Sequence, residues 1–484
     1  MSFEYPAISF WAIAPEIVLT ITALAVLLID VVAKKVETIN ITLTALIGVL
    51  LALVVSTTME LSEETLYSGM IVRDQIALVL EKVFLVGTAL IILISHRFAI
   101  WERVPYSEYM VLLLSASLGM LIISLSADLV ILFIGIELVS LPLYVLAGIN
   151  KSSLSSGEAS LKYFLLGAFS TGFMVYGMAF IYGMCRSTNL TLIGSYLSAY
   201  PTESLVPTPL LILGFVLILV GLGFKISLVP FHMWAPDVYQ GAPTPVTAWI
   251  ATGSKMAGFV ALLRIFSLPG SSFAPLAEFW VQGIWWLSLL TMIVGNAGAL
   301  VQTDLKRMLA YSSIAHGGYL TMAFVSNQIV GIEAIVFYLA AYMFMTIGAF
   351  GVVLVVRKNG QECQKISDLR GLAAQHPVLA GLMVVFLLSL AGMPLTAGFI
   401  GKVWLFGAAI QAGYVGLATV GILMTMFSFY YYLRVVVYMY MYDAEEGELF
   451  EPPTVSNKIA LGFSAFFVIL FGIFPNLLWL VIPS

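Results

Sequence analysis

A chain of 484 residues that is 61% hydrophobic and only 10% charged has too few ionic side chains to coat a soluble globule, and its mean hydropathy of +1.04 marks a polytopic membrane protein. The net charge of −5 comes with no basic stripe, which argues against a nucleic-acid partner. Cys185 and Cys363 stand alone, so neither an iron–sulfur cluster nor a disulfide framework is expected, and no metal or bound cofactor is assigned to this chain.

The opening run MSFEYPAISFWAIAPE carries Glu4 and Glu16 in place of a basic leader segment, so the first apolar stretch reads as a retained helix. A bilayer core of about 30 Å takes roughly 20 apolar residues per helix. About fourteen segments qualify: 11–33, 39–58, 76–95, 108–126, 129–148, 159–183, 207–229, 246–268, 280–301, 305–326, 330–356, an interrupted 378–410, 415–440 and 458–481. Trp11, Trp280 and Trp479 at span ends suit interfacial belts.

These spans divide into an N-terminal group of three helices (1–105), a five-helix block (106–270), a second five-helix block (278–441), and a loop with a C-terminal helix (442–484). Lys225 precedes Pro230 in GFKISLVPFH and Lys402 follows Pro394 in GMPLTAGFIGK, each in the fourth helix of its block. Weak duplication of this kind is what inverted-repeat transporters show, and the prolines suit broken helices. If the spans alternate, Lys34, Lys35, Arg97, Arg103, Lys151, Lys306, Arg307, Arg357, Lys358, Lys365, Arg370 and Lys458 share one side. The other side has only Arg73, Arg186, Lys82 and Arg264. The positive-inside rule makes the rich side cytoplasmic and sends both termini outward. The acidic stretch DAEEGELFE at 443–451 reads as a solvated loop on that side.

Ionisable residues inside the apolar runs carry the functional argument. Glu137 lies nine residues after Asp128, about 13 Å into the membrane at roughly 1.5 Å per residue, and Pro142 can kink its helix. Lys162 follows Glu158 by four residues, so the two can pair on one helical face, either as an interfacial pair with a snorkelling lysine or as part of a path. Lys225, Lys255 and Lys402 are costlier: about 2.5–3.5 kcal/mol each at a helix centre and about 10 kcal/mol together, unless water or partners attend them. Static salt bridges between helices are one reading. A proton relay is the favoured one, since a lysine poised between burial and a nearby carboxylate can load and release a proton when a neighbouring charge moves. Lys402 is the terminal candidate. Arg434, in YYYLRVVV, stays protonated and is assigned pairing or anchoring. His232 and His316 could connect lysines to bulk water or serve as hydrogen-bonded structural histidines, and nothing sets two histidines facing each other for haem.

The run GLGFKISLVPFHMWAPDVYQGAPTPVTAWIATGSKMAGF closely resembles the core of the N subunits of proton-pumping NADH:quinone oxidoreductases, respiratory complex I. GIELVSLPLY, EASLKYFLLGAFSTGF, TDLKRMLAYSSIAHGGYL and SLAGMPLTAGFIGKVW extend the resemblance from about the fourth span to the thirteenth. The resemblance implies an all-α fold of fourteen helices with two inverted five-helix repeats, each containing a broken helix. It matches Glu137 and Lys162 to the family's Glu/Lys pair, Lys225 to its broken-helix lysine, Lys255 to its central connecting lysine and Lys402 to its outlet-side lysine. The eleventh span, FYLAAYMFMTIGAF, departs from relatives that carry histidines and a lysine there. Tyr338 and Tyr342 stand in their place, suiting plain packing or, with water and His316, a second-half relay.

The expected function is therefore proton translocation by a non-redox subunit in a bacterial cytoplasmic (inner) membrane. Each charge moved against 100 mV costs about 2.3 kcal/mol, and with no nucleotide or redox motif the chain needs partners: other membrane-arm subunits, with NADH and quinone bound elsewhere. A subunit of a sodium/proton antiporter is the alternative. A purely structural membrane scaffold and a quinone-binding enzyme are weaker ones.

Overall fold

Backbone polar groups inside a bilayer have to be satisfied within their own segment, so apolar runs of this length become helices joined by short polar turns. A computed structural model describes residues 9–32, 37–102, 104–199, 209–267, 273, 276–326, 329–358, 360–444 and 449–481. Helices α1 (Ala14–Val32) and α2 (Thr38–Thr57) pack as a pair, and a hairpin of β1 (Ser62–Leu66) and β2 (Ile71–Arg73) leads into α3 (Gln75–Glu102).

The next helices are α4 (Tyr106–Leu125), α5 (Leu129–Ala147), α6 (Leu154–Cys185), the short α7 (Leu190–Ser198), α8 (Pro209–Lys225), α9 (Trp234–Gly241), α10 (Thr244–Trp249) and α11 (Lys255–Phe266). Their starts are written locally: the side chains of Asp128, Ser153 and Asn189 cap α5, α6 and α7 by accepting from backbone N–H groups of the first turn. A π-helical turn, Ile250–Ser254, joins α10 to α11 as one continuous rod. Then come α12 (Ala277–Val301), α13 (Leu305–Ala323) capped by Asp304, α14 (Ile329–Val355), a hairpin of β3 (Arg357–Lys358) and β4 (Gln361–Glu362), and the one-turn α15 (Leu372–Gln375). Helices α16 (Pro377–Ala391), α17 (Ala397–Gln411), α18 (Val415–Met441) and α19 (Val455–Ile473) complete the bundle.

Among the described residues eleven helices are long and apolar enough to cross a membrane. Three shorter apolar ones, α8, α16 and α17, are parts of the two broken spans. The continuous rod Thr244–Phe266 and α14 have their most apolar stretches 100% buried and form the centre, whereas α6 and α18, at 28%, turn most of their surface outward. With alternating spans, α4 and α12, which lead the two expected five-span groups, would run in opposite directions. Such a reversal is what an inverted repeat requires.

Each expected span coincides with a helix, and most boundaries agree within a few residues, but the tenth, α13, is not among the eleven helices apolar enough to cross a membrane. The last one departs. Pro475 disfavours a helical conformation at Phe474, which sits at φ −124°, ψ 70°, so α19 stops at Ile473 and Pro475–Val481 winds as a 3₁₀ segment. Trp280, expected at an interface, is buried instead and donates its indole N–H to the Phe273 carbonyl at 2.9 Å. The acidic stretch is only partly solvated: residues 445–448 lie outside the described residues, but Phe450 is buried, with its N–H donating to Gln375 Oε1 at 2.9 Å.

Isolated bridges tie loops that alternation puts on one side. Ile71 meets Ser126 and Asp128 meets Asn189 at one end of the bundle, while Asp304 meets Lys365 and Lys358 meets Phe450 at the other. Lys34, Lys35 and Arg103 lie outside the described residues, as do both extreme termini. On the side poor in positive charge, Arg73 is held in a buried ion pair with Glu81 at 3.0 Å, and the buried Arg264 pairs with the partly exposed Asp74 at 2.5 Å. The charge contrast between the two surfaces is thus sharper than the bare residue tally implies.

Candidate functional site

Spacings of three and four residues set Glu137, Ser140 and Tyr144 along one face of α5. Lys225 ends α8, where the exposed carbonyls of a helix C-terminus favour a cation. Its Nζ donates to Ser140 Oγ at 2.5 Å and to Tyr144 Oη at 2.9 Å, and lies 5.3 Å from the centre of the Tyr144 ring. Glycine at position 167 makes this possible: a Cβ there would fall 2.0 Å from the Tyr144 hydroxyl oxygen. A cavity of about 10 Å³, close to the smallest volume that holds a water, touches Ser140, Lys225, Ser254 and Gly258. It separates Lys225 from the turn that carries Lys255.

Lys255 follows directly on the π-helical turn, a distortion often found at functional positions. Its Nζ donates to the Ser313 carbonyl at 2.7 Å and to Ser313 Oγ at 2.5 Å. Ser313 Oγ also receives the Tyr342 hydroxyl at 2.8 Å and lies 3.4 Å from the Tyr239 hydroxyl. One turn further along α13, His316 Nδ1 is 2.5 Å from the Tyr338 hydroxyl and Nε2 is 3.1 Å from the Tyr432 hydroxyl, which also bonds Ser312. A neutral imidazole donates through one nitrogen and accepts through the other, so this ring can pass a proton between two hydroxyls by exchanging tautomers.

Lys402 closes the row from α17. Its Nζ donates to the carbonyls of Leu390 at 2.9 Å and Ala391 at 3.0 Å, the terminal acceptors that α16 leaves unsatisfied where it breaks. The break is made by Gly392 at φ +90°, where a Cβ would also press on Lys402 Cδ at 3.0 Å. The ammonium lies 5.0 Å from the centre of the Tyr319 ring.

The structure thus brings Lys225, Lys255, His316, Tyr338, Tyr342 and Lys402 into one buried polar row. Both tyrosines are packed in the core, and their hydroxyls are also hydrogen-bonded within the row. Glu137 and Lys162 do not touch. Glu137 accepts from Thr171 Oγ1 at 2.9 Å, whereas Lys162, nine residues earlier on α6 and therefore about 13 Å away along its axis, bonds Glu158 and Asp237 at 2.7 Å each. The Lys162 side chain stays 40% exposed, and Arg307 shares Asp237 with it at 2.7 Å. His232 sits in the break after α8 with its Nδ1 buried and without a hydrogen-bond partner among the described residues, outside the lysine row. Arg434 donates to the carbonyls of Leu300, at 3.2 Å, and Gln302, clamping α18 to the end of α12. Among the described residues no group of three or more His, Cys, Asp or Glu is arranged to hold a metal ion.

Sequence reasoning missed Ser140, Tyr144, Ser313, Tyr432 and Asp237. Ser140 and Tyr144 carried a signal in their helical spacing from Glu137, as did Ser313 three residues before His316. Tyr432 and Asp237 carried none, since their roles depend on which helices meet.

A family profile described as NADH:quinone oxidoreductase/Mrp antiporter, TM, matches residues 126–428. The chain is 42% identical over 474 residues to NADH-quinone oxidoreductase subunit N of Trichlorobacter lovleyi, covering 98% of this chain and 96% of that relative. One chain of respiratory complex I from Thermus thermophilus with bound aureothin aligns with a TM-score of 0.81 and 32% identity, over 97% of this chain and 99% of that one. A chain of the Mrp complex from a Dietzia species, 19% identical, shares the fold with a TM-score of 0.82 over 98% of this chain and 96% of its own length. With near full-length identity of this order, the chain belongs to the NADH-quinone oxidoreductase subunit N family.

Proposed function

We infer that this chain is a proton-translocating, non-redox subunit in the membrane arm of an NADH:quinone oxidoreductase, where quinone reduction in other subunits drives protons through its buried lysines. The observation that carries the reading is the row from Lys225 by way of Lys255 and His316 to Lys402, in which each ionisable group has hydroxyl or carbonyl partners and, among the described residues, none of the three lysines is ion-paired with a carboxylate. Such ammonium groups are not locked in static ion pairs. A shift of charge beside Lys225 changes the balance at Lys255 in turn, and proton transfer follows the hydroxyls between them.

The two halves do this differently. In the first, Lys225 works against the carboxylate-bearing face of α5; in the second, tyrosine hydroxyls and one imidazole lead to Lys402, making the relay asymmetric. Glu137 and Lys162 are only partly buried, at the lateral edge of the first half, where a neighbouring membrane-arm subunit supplies the charge shift. NADH and quinone bind those other subunits, and no cofactor is assigned here. The chain sits in a bacterial cytoplasmic membrane, with the side rich in Lys and Arg inward and both termini outward.

Lys225→Ala and Lys255→Ala in the intact complex test the reading. Electron transfer from NADH to artificial acceptors is expected to stay at the parental rate while quinone-coupled proton pumping falls. Parental pumping in both variants overturns it. The fold shared with the Mrp chain keeps a sodium/proton antiporter subunit as the second reading, and an assembly purified without flavin and iron–sulfur subunits would favour that one.

A further inference from the structure

Asn296, in the otherwise apolar run MIVGNAGALV of α12, is buried, while Leu290, Ile293 and Val301 on other faces of the same helix are exposed. An amide in such a span has to find its partners on neighbouring helices. Close packing brings them within reach. A Cβ on Gly295 would fall 2.5 Å from the Ala315 backbone nitrogen, and one on Gly318 2.7 Å from the Met292 backbone nitrogen, so α12 and α13 meet backbone to backbone. Asn296 Nδ2 donates to the Met292 carbonyl at 2.8 Å and to the Tyr319 hydroxyl oxygen at 3.1 Å, and Oδ1 accepts from the Tyr431 hydroxyl at 3.2 Å.

The two tyrosines lead to opposite ends of the second half of the row. Tyr319 presents its ring to Lys402, with Nζ 5.0 Å from the ring centre, and its own O–H is left for the Thr425 hydroxyl. Tyr431 packs with its ring centre 4.5 Å from that of Tyr432, whose hydroxyl lies 3.1 Å from His316 Nε2. One uncharged amide thus holds the ring beside Lys402 and backs the side chain beside His316. A carboxylate in its place would attract the proton that Lys402 and His316 handle, whereas an amide binds both hydroxyls without titrating.

We propose that Asn296 is a positioning residue for the step between His316 and Lys402, keeping the Tyr319 ring against the ammonium and Tyr431 behind Tyr432. The inference rests on the proton-translocating reading above. Asn296 itself carries no proton. It acts through Tyr319 on how firmly Lys402 holds one, because the ring face stabilises the ammonium but not the free amine.

Variants of the intact complex in inside-out vesicles test it. Asn296→Leu, of comparable size, removes both tyrosine bonds. Weakening a cation–π contact corresponds to about a 2- to 30-fold change in the balance between loaded and empty lysine, and pumping is expected to fall within that range. Electron transfer from NADH to artificial acceptors should stay at the parental rate. Tyr319→Phe removes the hydroxyl that the amide holds, so the double variant should pump no worse than Asn296→Leu alone. Asn296→Asp separates positioning from mere space filling, since a carboxylic acid can donate to Tyr319 and accept from Tyr431 but a carboxylate can only accept. The titratable side chains facing that position are Tyr319 on α13 and Tyr431 on α18, with Tyr432, His316 and Lys402 behind them. Asn296→Asp is therefore expected to outpump Asn296→Leu, most of all at the acid end of the pH range. Parental pumping by Asn296→Leu, additive losses in the double variant, or an Asn296→Asp no better than Asn296→Leu at acid pH overturns the positioning role. In each case a Lys402→Ala complex that fails to pump leaves the proton-translocating reading standing. Parental pumping by Lys402→Ala instead removes that reading, and the positioning role with it.

Discussion

Removing the hydroxyls that hold Lys225 should disable the relay without deleting any charge. Lys225 is buried, and its ammonium has two hydrogen-bond partners among the described residues, Ser140 Oγ at 2.5 Å and Tyr144 Oη at 2.9 Å. A hydrogen bond to a charged group contributes about 1.5–3 kcal/mol. At roughly 1.4 kcal/mol per factor of ten, loss of one bond corresponds to about a 10- to 100-fold change in the balance between proton-loaded and empty lysine. Ser140→Ala and Tyr144→Phe each leave the other partner in place, and Tyr144→Phe also keeps the ring beside the ammonium, so each alone should slow pumping by about tenfold, the low end of that range. The double variant strands the ammonium and should lose more than the two singles combined, with a coupling of about 0.5–3 kcal/mol for groups sharing one partner. The assay is proton uptake per NADH oxidised in proteoliposomes of the complex, with an artificial acceptor as the electron-transfer control. If the double variant pumps at the parental rate, Lys225 is a structural cation and the reasoning fails.

Gly167→Ala tests the same site through packing: the added methyl would overlap the Tyr144 hydroxyl, so pumping should fall about as far as in Tyr144→Phe, and a parental rate would mean that this hydroxyl is not needed where it stands. Arg264→Met, away from the relay, removes the partner that binds Asp74 at 2.5 and 2.9 Å. Breaking a fully buried pair costs about 3–5 kcal/mol. Because about a third of the Asp74 side chain is exposed, roughly 2 kcal/mol is expected here, seen as a lower thermal inactivation temperature of the purified complex with pumping per electron preserved below it. An unchanged inactivation temperature would contradict that estimate.

Hydropathy by itself determined the spans, the two breaks and the sidedness argument, because a bilayer requires each segment to satisfy its own backbone and so makes membrane topology a nearly local property of the chain. The buried lysines were legible for the same reason: a charge in an apolar run of more than twenty residues is anomalous before anything is known of its neighbours. Partnership was not legible. Whether Lys162 meets Glu137 or Asp237 depends on how far α6 slides past α5 and where α9 resumes after the break, and that offset of about 13 Å is set by helix packing. Tyr338 and Tyr342 look like packing residues in FYLAAYMFMTIGAF until α14 is set against α13, where the Tyr338 hydroxyl bonds His316 and the Tyr342 hydroxyl donates to Ser313. Only the tertiary structure decided which polar atoms complete the row, since a hydrogen bond across helices is a relation between distant segments that neither segment encodes alone.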